Sequence, residues 1–419
     1  MKRFTIILIA MLAIVAAQAQ TKRGQNPVKF VYDVDFQYFF SNNEYDHGGE
    51  LYDSSQTFNS ARLTPMVGVR VDQNRKTRHY LWLGIDIMKN MGEYPTNESE
   101  KDLENTDLFH EIVFWYSFER KFRFGNLSGY FGIFPKKYAV YGSRSPLFKD
   151  EFPLSEAELV PTYFTSKIDA FYDNNMEGFL MSLDTKNGYY EAGLDWTGKY
   201  GKDRRESFRV FTYGSQGIGR SGVRLGWAQT YFHYANSYEV KGVVDNHIIS
   251  PFAGYYRKID DWKLGFRLGY ALGINRDREK DTGFQISNGG LFTANVNWKG
   301  FGILNDAYYG QSLMPYYDQV DAGGYLYADN VYKGSPFYKI NEASGKWSHS
   351  GFYDRAEGYW QRTFGNFVAV RVGMVFHFSE EGYQGWQEQL SLIFDLNRAI
   401  SRYQKPNAER RYYEYQFSL

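Results

Sequence analysis

The sequence predicts an all-β chain closed into a transmembrane antiparallel up-and-down barrel of about sixteen strands, within a range of fourteen to eighteen. Three observations predict it. Long segments alternate apolar and polar residues with a period of two. The connections between them alternate between tight turns and longer loops. The composition joins 37 Tyr, 34 Phe and 41 Gly to a mean hydropathy of −0.54. A wall with one face against lipid and the other against water produces that pairing.

The alternation is clearest from Trp262 onward. Trp262, Leu264, Phe266, Leu268, Tyr270, Leu272 and Ile274 share one face, and Lys263, Gly265, Arg267, Gly269, Ala271 and Gly273 share the other. Val368, Val370, Val372, Met374, Phe376 and Phe378 oppose Ala369, Arg371, Gly373, Val375 and His377. Leu390, Leu392, Phe394 and Leu396 oppose Gln389, Ser391, Asp395 and Asn397. Ile112, Phe114, Tyr116 and Phe118 oppose Glu111, Trp115, Ser117 and Glu119, and Phe30 to Tyr38 repeats the pattern against Asp33, Asp35 and Gln37. Each run is about as long as a tilted strand needs to cross a bilayer, whereas soluble sandwiches use strands of about five or six residues. Trp262 and Phe378 end their apolar faces, as an interfacial girdle would. Weaker patterns over residues 247–256 and 352–363 set the range in the strand count.

The connections sort by length. Tight ones fall near residues 72–76, 123–127, 185–188, 215–221, 258–261, 299–300 and 365–366. Longer ones fall near 41–59, 92–107, 135–175, 236–246, 275–288, 311–350 and 379–387, with 198–206 a short member of that set. Barrels of the outer membrane have short periplasmic turns and longer outer loops, whereas a sandwich has no reason to sort its loops this way. An even strand count places both termini in the periplasm.

At the N-terminus, Lys2 and Arg3 precede an apolar stretch from Phe4 to Ala17, and Ala17-Gln18-Ala19 supplies a small-x-small cleavage site before Gln20. Residues 1–19 therefore read as a secretory signal peptide, residues 20–397 as the barrel, and 398–419 as a tail or a final strand. The tail ends in Tyr413, Tyr415, Phe417 and Leu419 alternating with polar residues, which resembles a C-terminal signal for barrel-insertion machinery. With no Cys, disulfides and Cys-ligated metals are excluded. Zero formal net charge shows no nucleic-acid footprint. After the leader no apolar run is long enough for a transmembrane helix.

Gly217, Gly219 and Gly222 match G-x-G-x-x-G, but Val223, Leu225 and Trp227 continue as a strand rather than a helix, so they read as a Gly-rich turn. The seven His show no ligand spacing, and no cofactor or metal is expected. The inward set has mixed sign. Asp33, Asp35, Asp86, Glu111, Glu119, Asp184, Asp195 and Asp395 join Arg209, Arg224, Lys263, Arg267 and Arg371. Either opposite walls carry opposite charge and set a transverse field, or the charges pair across the lumen. Residues 135–175 carry Arg144, Lys149, Asp150, Glu151, Glu156 and Glu158. Residues 311–350 place Tyr316, Tyr317, Tyr325, Tyr327, Tyr332 and Tyr338 among Asp318, Asp321 and Asp329. They suggest a lid packed by its own aromatics, ahead of a sugar or Ca²⁺ site.

The cleavage site, the Tyr/Phe-rich alternating strands and the sorted loops resemble an outer-membrane porin-like barrel of the Bacteroidota type. The resemblance covers the whole mature chain and is architectural. It implies sixteen strands, a third outer loop folded into the pore (here residues 135–175, with its charged residues at the constriction), a homotrimer, outer-membrane lipid around the wall and no enzymatic activity. Three functions follow as expectations: a passive channel for small hydrophilic solutes, a lipid hydrolase with Ser, His and an acid on the outer wall, or a plugged barrel that binds or assembles surface polysaccharide.

Overall fold

A computed structural model describes residues 28–45, 55–91, 111–139, 161–202, 205–219, 221–238, 242–280, 283–321, 323–324, 326–340, 349–364 and 367–395. They form sixteen strands: β1 (Val28–Tyr45), β2 (Gln56–Asn74), β3 (Thr77–Asn90), β4 (Glu111–Lys121), β5 (Gly125–Pro135), β6 (Asn175–Thr185), β7 (Gly188–Gly198) and β8 (Ser207–Gly217), then β9 (Val223–Tyr234), β10 (Val244–Ile259), β11 (Trp262–Asp277), β12 (Gln285–Trp298), β13 (Phe301–Gln311), β14 (Ser350–Phe364), β15 (Val368–Ser379) and β16 (Gly382–Asp395). Each pairs antiparallel with its sequence neighbours, and β1 pairs with β16 to close the cylinder. No described strand is left as an open edge, so the backbone groups of the wall are satisfied within it.

The period-two pattern decides which way each side chain points. On β11, Trp262, Phe266, Leu268 and Tyr270 are exposed on the outer surface while Ala271 and Asn275 are fully buried inside. On β15, Val372 and Met374 face out, and Val375 and His377 are buried. The Trp262 and Trp298 rings lie 6.1 Å apart at the tight-turn end, where Phe301 is also exposed, and begin the expected girdle. There Lys299 and Gly300 both have positive φ, 50° and 93°. That conformation matches hairpin twist to strand twist, which explains a two-residue turn ending in Gly.

The two weakly patterned segments are full strands. Residues 247–256 lie within β10, whose Pro251 has no N–H to donate, and the β10–β11 register skips Ser250 and Pro251. Residues 352–363 lie within β14, whose outward face includes Asp354, Ala356 and Gly358 and so lacks a clean apolar stripe. One loop expectation fails. Residues 379–387 were expected to form a longer outer loop, but β15 and β16 join through Glu380-Glu381 alone. The charged and Gly-rich stretch reads as loop, yet its glycines serve an irregular strand pair. The register shifts at His377/Phe378, and Gly385, at φ 129°, lies so close to β1 that an added Cβ would sit 2.2 Å from the Glu44 carbonyl oxygen. The Gly217–Gly222 motif is the expected turn between β8 and β9, with positive φ at Gly219 and Gly222. The expected signal peptide, the tail after Asn397 and the constriction residues Arg144, Lys149, Asp150, Glu151, Glu156 and Glu158 lie outside the described residues.

In a bilayer, Leu268→Arg on the outer wall is expected to destabilise the barrel by about 2–4 kcal/mol at mid-depth. Reversible urea unfolding in lipid vesicles measures this, and an unchanged midpoint would contradict the outward assignment.

Candidate functional site: a lumen crossed by two inward loops

The third outer connection, between β5 and β6, starts with a 3-10 turn over Lys136–Tyr138. Its two lysines reach separate parts of the wall. Lys137 Nζ binds Asp33 and Asp35 of β1. Lys136 Nζ binds Asp173, at 2.6 Å, and Asp195 of β7, at 3.3 Å. Burial pushes the Lys136 ammonium down, but Asp173 and Asp195 more than offset this and hold it above its ordinary value. Burial pushes the Asp173 carboxyl up, and Lys136 more than offsets that and holds it below the usual carboxylate range. Further along, helix α1 (Lys167–Tyr172) is capped by Ser166, whose Oγ accepts from the Asp169 N–H at 3.0 Å. The Arg62–Asp86 pair of β2 and β3, fully buried at 2.5 Å, anchors its end. Arg62 donates to the Phe171 and Tyr172 carbonyls, and Asn175 Nδ2 donates to Asp86. Arg209 of β8 donates to Thr165 Oγ1 at 2.7 Å.

The seventh outer connection, between β13 and β14, also turns inward. It holds a short helix α2 (Ala328–Val331) and a 3-10 turn over Pro336–Lys339. Tyr316, Tyr317, Tyr327, Tyr332 and Tyr338 are buried, as the lid expectation requires. Its described carboxylates are engaged by cations. Asp318 accepts from Lys339 at 3.0 Å, and Asp321 pairs with Arg205 of the fourth outer connection. Phe337 stacks on His377 with ring centroids 3.9 Å apart and planes 3° from parallel. The two loops also bind each other. The Ser166 N–H donates to the Lys333 carbonyl and the Ser335 N–H to the Thr162 carbonyl, both at 2.8 Å. Tyr163 and Tyr338 pack edge to face at 5.2 Å. Gly334 permits this approach, since a Cβ there would lie 2.1 Å from the Tyr163 carbonyl oxygen.

The remaining expected lumen residues fall as follows. Asp33, Asp35, Asp86, Asp195 and Arg209 are buried inside. Glu111 lies beside Asn175, Glu177 and Asp86, and Glu119 beside Arg70 and Arg78. Asp184 faces inward on β6. On the other side, Arg224 donates to Ser215 Oγ at 2.7 Å, Lys263 is half-buried, and Arg267 donates to Thr293 Oγ1 at 3.1 Å. Arg371 binds Glu357 at 2.6 Å and lies 3.8 Å over the Tyr359 ring. Asp395 ends β16 opposite Asp35, and its side chain lies outside the described residues. Among the described residues, Asp33, Asp35, Asp86 and Asp195 of β1–β7 meet cations from the third loop or from a neighbouring strand, while Arg224, Lys263 and Arg267 lie on β9 and β11.

Sequence reasoning missed Lys136 and Lys137, which read as loop. It also missed Arg62, Arg355 and Glu357, whose inward parity could have been read from their strands. On the outer wall, His233 Nδ1 bonds Asp245 at 2.8 Å and His247 Nε2 bonds Gln229 at 3.0 Å. No Ser or Thr hydroxyl bonds either imidazole among the described residues, and no group of three or more His, Asp or Glu there is placed to hold a metal ion.

No family model matches the chain, and no curated protein matches it. Among solved structures, a loop-deletion mutant of OmpT, an outer membrane protein of Vibrio cholerae, is 11% identical, with a TM-score of 0.47 over 88% of this chain and 100% of that one. OprD of Pseudomonas aeruginosa is 10% identical, with a TM-score of 0.47 over 90% of this chain and 97% of that one. A BenF-like porin from Pseudomonas fluorescens is 8% identical, with a TM-score of 0.46 over 88% and 98%.

Lys137→Met removes the buried ammonium that Asp33 and Asp35 share. It is expected to cost about 3–5 kcal/mol, read as a lower urea midpoint, with Asp33→Asn/Asp35→Asn in the same background recovering part of the loss. The Lys136–Asp173 clamp also has a pH signature. The raised ammonium contributes below its unfolded pKa and is lost as pH rises through its folded value. The depressed carboxyl contributes above its unfolded pKa and is lost as pH falls through its folded value. Protection of the third loop from protease is therefore expected to be greatest between about pH 4 and about pH 10 and to fall on both sides. Protection that stays unchanged from well below about pH 4 to well above about pH 10 would count against the clamp.

Proposed function

We propose that this chain is an outer-membrane channel for passive diffusion of small hydrophilic solutes, and not an enzyme. One observation carries the reading: a closed sixteen-strand cylinder with an apolar outer face and an inner face of charged and hydrogen-bonding side chains. Cylinders of about 16–18 strands are wide enough to leave an aqueous path. The third and seventh connections then narrow it, and the lining charges together with Arg144, Lys149, Asp150, Glu151, Glu156 and Glu158 set size and charge preference. In this reading the chain is exported by a signal peptide over residues 1–19, is assembled by barrel-insertion machinery, and resides in the outer membrane of a Gram-negative bacterium of the Bacteroidota type.

Purified protein added to a planar bilayer is expected to give stepwise conductance. Removal of residues 326–337 is expected to raise the unit conductance several-fold, because it withdraws one half of the inward plug. Folded protein that inserts but leaves the bilayer sealed, with and without those residues, would defeat the proposal.

A further inference from the structure

The outer wall carries a polar pair inside its apolar band. The outward positions of β13 are Phe301, Ile303, Asn305, Ala307 and Tyr309, of which Phe301, Ile303 and Tyr309 are well exposed. Asn305 therefore lies at mid-wall, between apolar neighbours. On β14, Asp354 and Ala356 follow Phe352 on the same outward face. Asn305 Nδ2 donates to Asp354 Oδ1 at 2.6 Å, with a longer contact of 3.5 Å to the Arg355 carbonyl. The register sets Asn305 opposite Ala356 and Ala307 opposite Asp354. The result is a block of two polar and two small residues with its hydrogen bond running along the diagonal.

Hydrocarbon cannot satisfy such a block. An acid side chain facing lipid at mid-depth is costly and ordinarily turns toward protein or water. The amide has two N–H donors and the carboxyl two oxygens, so the diagonal bond leaves capacity on both partners. Alanines on the other diagonal leave room for close approach of a second wall.

We propose that the outer wall of β13–β14 is the contact between two copies of this chain, related by a two-fold axis along the membrane normal. Such an axis sets β13 of each copy against β14 of the other. Each Asn305 then faces the strand that carries the second copy's Asp354, and one donor–acceptor pair supplies both halves of the contact. This self-complementarity identifies a second copy as the occupant, since a two-fold interface must present the same patch twice. The proposal goes beyond the channel reading and does not depend on conduction. It differs from the homotrimer that the resemblance to porins implies.

The absence of Cys makes single-thiol variants unambiguous. Ala307→Cys in membranes is expected to give a covalent dimer on mild oxidation, whereas Val67→Cys, exposed on the outer wall of β2, is expected to give none. Adding Asp354→Leu to Ala307→Cys should lower the dimer yield about tenfold or more while the protein keeps the heat-modifiable mobility of a folded barrel. Asp354→Asn, which retains hydrogen bonding, should restore it. Absence of dimer from Ala307→Cys, equal cross-linking at Val67→Cys, a native mass of three copies, or a yield that ignores Asp354→Leu would each overturn the proposal.

Discussion

The structure depends on closing a β-sheet. A strand edge exposed to hydrocarbon would leave a row of N–H and C=O groups without partners, at several kcal/mol for each group. Pairing of β1 with β16, from Asp35↔Asp395 to Tyr45↔Gly385, removes the last edge among the described strands. Once the sheet is closed, side-chain parity alone sorts the chemistry. Residues of one parity meet lipid, residues of the other fill the interior, and a register slip of one would exchange the two sets along a whole strand.

Closure creates a second problem, which is what to do with the charges it encloses. Buried charges must be paired and hydrogen-bonded. The wall of β1–β7 supplies carboxylates, and the third loop supplies the consecutive lysines that neutralise them. Lys136 and Lys137 point apart because they lie in one tight turn, so a single loop start ties two separated regions of the wall. The seventh loop is held by different means. It has an aromatic interior of its own, and Phe337 is stacked on His377 and Tyr353. The two loops share backbone hydrogen bonds, so displacement of one disturbs the other.

The outer surface answers to a different solvent. Its apolar residues need no partner other than lipid, and Trp262, Trp298 and Phe301 gather at the tight-turn end, where aromatic rings are favoured at an interface. Asn305 and Asp354 break that rule in the middle of the wall. With Ala356 and Gly358 on the same face, Asp354 dilutes the apolar alternation that marks a lipid-facing strand in sequence.

Local physics determined much of this protein, and a single sequence displays it. Period-two alternation, turn residues such as Lys299-Gly300 and the sorting of connection lengths sufficed for a sixteen-strand antiparallel barrel and for the inward direction of Asp33, Asp86, Arg267 and Arg371. The two-residue Glu380-Glu381 turn escaped, since glycines that serve an irregular strand pair look the same in sequence as glycines in a loop. The tertiary structure alone decided which charges meet. Lys137 and Asp33 are separated by more than a hundred residues, and nothing local favours one carboxylate over another. Closure of the cylinder brings their walls together, and the cost of an unpaired buried charge then selects the partner.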